Sequence, residues 1–237
     1  MLDFLIDIDT QILLFFNGLH CSFFDYFMKA FTGKLIWIPM YATMLYILFR
    51  RFEWKVALCF TIGIACAIAL ADQIGASMIR PAVERYRPSN INNPIHTLVH
   101  IVDGYRGGRY GFPSCHAANS FALATFLSLL FAKRRFTLFI FIWAITTAYS
   151  RLYLGVHYPG DLFVGALIGS ASGWLSYRIS KKIANEIASP RDYDSSRFYD
   201  SLKIGNTTFL YQLSDITIGT GLITALSIAI YSTFSCL

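Results

Sequence analysis

Long apolar stretches separated by short charged breaks dominate the chain. Six of them are bounded by ionisable residues: Leu35–Phe49, Trp54–Met78, Ala117–Ala132, Phe136–Leu154, Asp161–Tyr177 and Ile216–Thr233. A helix needs about 20 apolar residues to cross roughly 30 Å of hydrocarbon, and somewhat fewer where flanking side chains snorkel. Leu35–Phe49 reaches that length if Phe31 and Thr32 join it. Gly, Ala and Ser recur within several stretches, where they let helices approach closely. The pattern predicts an all-α fold, a polytopic membrane bundle of about six transmembrane helices forming one domain over residues 1–237. Residues 1–32 carry Asp3, Asp7 and Asp9 among apolar neighbours, with no basic start and no small-residue cleavage site. This segment reads as one or two amphipathic helices at the membrane interface, not as a signal peptide.

Composition and charge sharpen the picture. The chain is 55% hydrophobic and 14% charged, against roughly 25% charged in an ordinary soluble domain, so a soluble globular class is excluded. With the 50–55 connection on the cytoplasmic side, alternation puts 133–135 and the polar connection 178–215 there too, and that side holds 12 of the 20 lysines and arginines. Six of the eight on the other side, Arg80, Arg85, Arg87, Arg106, Arg109 and Arg151, border just two loops, 79–115 and 155–160. Topology alone gives no reason for so many there. The net charge of +6 suits an anionic membrane surface. Five cysteines form neither a CxxC pair nor an even framework, so no disulfide scaffold or zinc site is indicated. The connection 178–215 carries no recognisable motif, and 216–233 is the last span.

The two loops hold the chemistry. The first opens with RPAVERYRP and continues through GYRGGRYGFPSCH, whose glycines permit sharp turns. The second is SRLYLGVHYPGD, residues 150–161. Arginines, two histidines and no carboxylate cluster point to an anion site that works without a metal. Ser114 is placed to cap a helix starting at Cys115, so the backbone N–H groups of Ser114, Cys115 and His116 would face a bound phosphate. Pro159 suits a first helical turn, which puts His157 just before a helix and Asp161 one turn later, in reach of the imidazole. A histidine held by an aspartate before an anion site is the arrangement of a nucleophile, and His116 at the other helix start is the matching acid.

These segments resemble the three-part signature of the type-2 phosphatidic acid phosphatase superfamily, KxxxxxxRP, PSGH and SRxxxxxHxxxD. They read here as RPAVERYRP (80–88), PSCH (113–116) and SRLYLGVHYPGD (150–161). The resemblance implies that Arg80, Arg87, Arg151, Ser114 and Cys115 bind phosphate, with His157 as nucleophile, Asp161 as its partner and His116 as acid. Arg85 and Ser150 are secondary candidates. Two positions depart from the signature. Arg80 replaces a compact ammonium with a planar fork, and Cys115 adds a Cβ where the family has glycine, which is costly if that residue needs a positive φ. The implied activity is metal-independent, cofactor-free hydrolysis of a lipid phosphate monoester or diphosphate, such as a lipid A phosphate or undecaprenyl diphosphate, through a phosphohistidine. The partners would be that phosphorylated lipid and the bilayer, with no nucleic acid and the oligomeric state left open. The implied location is a multi-pass inner membrane protein with its site facing the periplasm or exterior.

The competing reading is a non-catalytic lipid transporter or scaffold in which the arginines only hold headgroups. Such a protein has no use for a His–Asp pair one turn apart with a second histidine at another helix start. His20, His96 and His100 lie outside the signature and read as anchors. Asp72 either braces Arg80 or meets another buried polar group. A thiol nucleophile at Cys115 would need an arginine six residues on, where the chain has Phe121.

Overall fold

The computed structural model describes residues 2–188, 199–204 and 207–236. Helices carry the architecture: α1 (Leu2–Gly18), α2 (Ser22–Phe31), α3 (Ile38–Arg51), α4 (Trp54–Asp72), α5 (Arg80–Val83), α6 (Cys115–Phe131), α7 (Arg134–Tyr153), α8 (Pro159–Ile187) and α9 (Leu213–Ser235). The described strands, β1 (Tyr199–Ile204) and β2 (Thr207–Gln212), form an antiparallel hairpin within the polar connection. The remainder of that connection, 189–198 and 205–206, lies outside the described residues.

Among the described residues, three helical rods are long and apolar enough to cross a bilayer: Trp54–Val83, Arg134–Tyr153 and Leu213–Ser235. A fourth forms if Ser22–Phe31 and Leu35–Arg51 act as one span, bent by 68°. The sequence pattern undervalued the first of these rods, which runs five residues past Met78. A π-helical stretch, Gln73–Ile79, joins α4 to α5. Pro81 explains it: the ring has no N–H to donate and would strike the carbonyl four residues back in a regular α-helix, and a widened turn relieves the clash. Arg80 therefore stands on a helix and not in a loop. The rod ends where Glu84 turns left-handed at φ 49°.

α8 lies at the centre, against α4 on one side and α6 on the other. Its 29 residues are diluted in apolarity by the Gly and Ser of its contact faces. Gly165, Gly169 and Gly173 follow one another at every fourth position and press on the carbonyls of Ser114, Ala118 and Ala122. A Cβ at Gly169 would sit 2.1 Å from the Ala118 oxygen. Backbone contact of this kind replaces the hydrophobic drive that lipid-immersed helices lack. On the outer side, Trp37, Met40, Ile47, Phe60, Phe126 and Ile140 fill the space between α3, α4, α6 and α7.

One end of this bundle gathers the site. α5 and α7 finish there, and α6 and α8 begin there. α1 and α2 cap the same end, because Asn17 donates to the carbonyls of Tyr153 (2.7 Å) and His100 (3.1 Å). His20 stacks on His100 with centroids 3.7 Å apart, and His100 pairs with Asp25 at 3.0 Å. These two histidines thus serve packing.

The α6–α8 contact makes a sharp prediction. Gly169→Ala should destabilise the detergent-solubilised protein by about 1–3 kcal/mol through overpacking. Gly219→Ala, where a Cβ meets nothing within 4 Å, should be neutral or mildly stabilising. Thermal unfolding of both variants beside the wild type checks it.

Candidate active site

Two loops are drawn together before any side chain acts. Tyr86 and Tyr110 form an isolated antiparallel bridge, flanked by Arg87 N–H to Arg109 O at 3.3 Å and Gly111 N–H to Arg85 O at 2.9 Å. This short ladder brings the arginine segment beside 113–116. Ser114 then caps α6, its Oγ accepting from Ala117 N–H at 3.5 Å. Its own N–H donates to the carbonyl of Asp161 at 2.9 Å, so the starts of α6 and α8 are joined directly. That bond uses the Ser114 N–H, which the sequence had assigned to phosphate. The N–H groups of Cys115 and His116, in the first turn of α6, remain without a helical acceptor.

At the start of α8, Pro159 occupies the first turn and Asp161 reaches back. Its Oδ2 accepts from Tyr158 N–H at 3.0 Å and lies 3.3 Å from His157 Nδ1. On the other side of the ring, Nε2 is 2.7 Å from an Arg87 terminal nitrogen, which also donates to Val156 O at 3.0 Å. Arginine has only donors, so Nε2 must accept and Nδ1 must carry the proton toward Asp161. The contacts thus fix the tautomer with the Nε2 lone pair directed to Arg87. Burial, and after it the Arg87 charge, hold the His157 imidazole well below its ordinary value, so the ring is neutral at pH 7.

Gly111 makes this closeness possible. A Cβ there would lie 3.0 Å from Asp161 Oδ2 and 3.1 Å from Arg87 Cγ. Any side chain at that position would drive the carboxylate and the guanidinium apart.

Arg87 and Arg151 are almost wholly buried. Burial, then the charges of Arg151 and Arg80, lower the Arg87 guanidinium to about 10. It is still cationic at neutral pH, and the cluster's self-repulsion is relieved by an anion. Arg80 donates to Pro113 O at 3.0 Å and to Cys115 Sγ at 2.9 Å, while Arg151 donates to Thr32 Oγ1 and Tyr105 OH, each at 3.0 Å. The Nε atoms of Arg80, Arg87 and Arg151 are buried without a hydrogen-bond partner. Three orphaned donors of one sign in one place mark a site for an oxyanion. His116 lies close enough to interact electrostatically with Arg151, His157, Lys34 and Arg87. Among the described residues, no three His, Cys, Asp or Glu side chains are grouped to hold a metal ion.

Several sequence-derived residues sit differently from expectation. Arg85 turns away from the arginine cluster: it pairs with Asp161 Oδ1 at 3.2 Å and stacks on the Tyr158 ring at 3.7 Å. Ser150 Oγ donates to Thr147 O on its own helix at 2.7 Å. Cys115 is the first residue of α6 and is not among the positive-φ positions, so its Cβ carries no backbone strain. Asp72 meets Asn119 at 3.4 Å and the Cys115 thiol.

Asp9 was missed. From α1 its carboxylate reaches Arg85 at 2.7 Å and accepts from Gly160 N–H at 2.7 Å, so it holds both the partner of Asp161 and the start of α8. The signal present in the sequence is a carboxylate within an apolar run, which reads there only as part of an amphipathic segment at the interface. Thr32 and Lys34 likewise bring the N-terminal segment to the site.

Comparison with known proteins gives the family. Residues 54–184 match the family model described as "PAP2 superfamily". The chain is 55% identical over 232 residues to the lipid A 4'-phosphatase of Bacteroides thetaiotaomicron, covering 98% of each chain. It is 31% identical over 153 residues to the undecaprenyl-diphosphatase of Sulfolobus acidocaldarius, covering 65% of this chain and 68% of that protein. The crystal structure of Aquifex aeolicus LpxE superposes with a TM-score of 0.54 at 25% identity, covering 71% of this chain and 94% of that one. The chain belongs to the PAP2 superfamily and is a membrane phosphatase, a hydrolase of phosphate esters or anhydrides.

Proposed function

We propose that the protein removes a phosphate from a membrane lipid of the lipid A class by double displacement through His157. The observation that carries this reading is the buried His157, with its proton toward Asp161 and its lone pair toward Arg87, in a cluster where Arg80, Arg87 and Arg151 all have orphaned Nε donors. The 55% identity to a lipid A 4'-phosphatase across 98% of both chains favours that substrate class over undecaprenyl diphosphate.

In the first step the lipid phosphate enters the arginine cluster, and Arg87 turns from Nε2 to a phosphoryl oxygen. Nε2 then attacks phosphorus, forming a P–N bond as the P–O bond to the lipid breaks. His116 gives its proton to the departing oxygen. The Asp161 carboxylate stabilises the positive charge that grows on the ring. In the second step His116 takes a proton from water, whose oxygen attacks phosphorus, and the P–N bond breaks to release inorganic phosphate. Arg80, Arg87, Arg151 and the N–H groups of Cys115 and His116 neutralise the equatorial oxygens in both steps. Preorganised donors of this kind are often the largest catalytic contribution.

The bundle supports a six-span topology made of α3, α4 with α5, α6, α7, α8 and α9. α6 is short and α8 is diluted by small residues, so neither meets a criterion of length and apolarity alone. The clusters at 50–55 and 133–135 lie at the end opposite the site, which supports a site on the outer face by the positive-inside tendency. In this arrangement α1 and α2 lie over the site at the interface, and the membrane is the inner one.

Two experiments test the reading. Phosphate release from a detergent-solubilised lipid phosphate should be unaffected by EDTA and should fall at least a thousandfold, about 4 kcal/mol, in His157→Ala. Equal release by the variant removes His157 as nucleophile, and loss in EDTA reveals a metal requirement.

The second concerns Asp9. Asp9→Asn keeps an acceptor for Gly160 but deletes a charge, leaving Arg85 to pull on Asp161 alone. Removing a negative charge disfavours the protonated imidazole, so the acid limb of kcat/KM, below pH 6.5 in the wild type, should move to lower pH. With Asp161 less able to support the imidazolium, kcat should drop about tenfold, and Asp9→Glu should recover part of it. An unchanged limb together with an unchanged kcat shows that Asp9 only anchors α1.

A further inference from the structure

The site does not end at the arginines. A cavity of about 430 Å³ opens beside His116 and continues into the bundle between α3, α4, α6 and α7. It extends to Leu48 and Leu127, the latter eleven residues beyond His116 on α6, a depth of about 16 Å. The walls are chiefly Trp37, Met44, Leu123 and Trp143. Its size is near the low end of ligand pockets, roughly 300–1,000 Å³, and suits a single chain better than a whole multi-chain lipid.

One feature of the wall does not belong with hydrocarbon. Asp72 and Asn119 both line the cavity, about one turn of α6 below His116. Asn119 donates to Asp72 at 3.4 Å, and its Oδ1 is buried with no partner. The carboxylate has donors in Asn119 and the Cys115 thiol, but an orphaned amide oxygen in an apolar wall is costly unless something donates to it. Lys34, at the cavity's mouth, is exposed and does not fill that role. A chain of pure hydrocarbon would leave the Asn119 oxygen dry. A chain with a hydroxyl or an amide N–H near its attachment point would satisfy it while its phosphate lies among the arginines.

We infer that this cavity takes one acyl chain of the substrate, and that the Asp72–Asn119 pair accepts a hydrogen bond from a hydroxyl or amide N–H carried near the head of that chain. The inference rests on the lipid phosphatase reading and narrows its substrate class to lipids with a donor on the chain, against polyprenyl phosphates that have none. A site built to receive a hydrogen bond rejects the analogue that lacks the donor, since its own polar groups are then left unpaired.

The test compares kcat/KM in detergent for three phosphorylated glucosamines: one with an N-linked 3-hydroxyacyl chain, one with the plain N-linked chain and one with the plain chain O-linked. The wild type should fall at least tenfold across the series. A drop at the first change identifies the hydroxyl as donor, and a drop at the second identifies the amide. Asn119→Leu should bring the ratio of best to worst substrate close to one, and Asp72→Asn serves if that variant does not fold. Equal rates on all three lipids in the wild type, or a preference that persists in the variant, overturns the inference. His157→Ala, run on the same lipids, separates the two ideas: activity there defeats the catalytic reading, whereas an inactive His157→Ala beside a wild type without preference defeats the chain-recognition proposal alone.

Discussion

The hydrogen bond from Ser114 N–H to the Asp161 carbonyl, 2.9 Å long, joins the starts of two helices, and the chemistry of the site depends on that junction. It sets the first turn of α6, with its free N–H groups, against the first turn of α8, with Asp161 and His157. The glycines of α8 hold the junction in place. Because Gly165, Gly169 and Gly173 let α8 press on the α6 backbone, the two helix starts cannot drift without breaking contacts along several turns. Packing deep in the bundle thereby fixes atoms at its end to the tolerance that catalysis needs.

Charge is arranged around this junction in opposed layers. The Arg87 guanidinium faces Nε2 of His157, the charges of Arg151 and Arg80 act on the same ring, and carboxylates lie behind Nδ1. Arg85 sits between Asp161 and Asp9, so the rear layer alternates in sign and keeps a net negative charge behind the ring. The front layer carries uncompensated positive charge and orphaned donors. The imidazole is polarised from front to back, and in the proposed mechanism a dianionic phosphate completes the front. On that reading the costly charges are buried where substrate binding neutralises them.

Much of this was legible because the decisive contacts are short in sequence. His157 and Asp161 are four residues apart, Ser114 caps the helix that follows it, and Pro159 marks the start of α8, so local rules were enough. Arg80 was placed in a loop because hydropathy falls at Arg80, although the helix continues through a π turn to Val83. Arg85 could not be told from its neighbours, since nothing local reveals that its guanidinium points to a carboxylate from the rear. Asp9 lies 151 residues from Gly160, and no periodicity encodes such a pairing. The fear of strain at Cys115 came from the family's glycine, and it dissolves because the residue is helical.

The central claim is a two-step transfer through His157, and the configuration at phosphorus tests it most directly. Hydrolysis of a lipid phosphate made chiral with oxygen isotopes and sulfur should proceed with retention, because two in-line displacements each invert the centre. Net inversion would mean that water attacks the lipid phosphate itself, and His157 would then have no place as nucleophile.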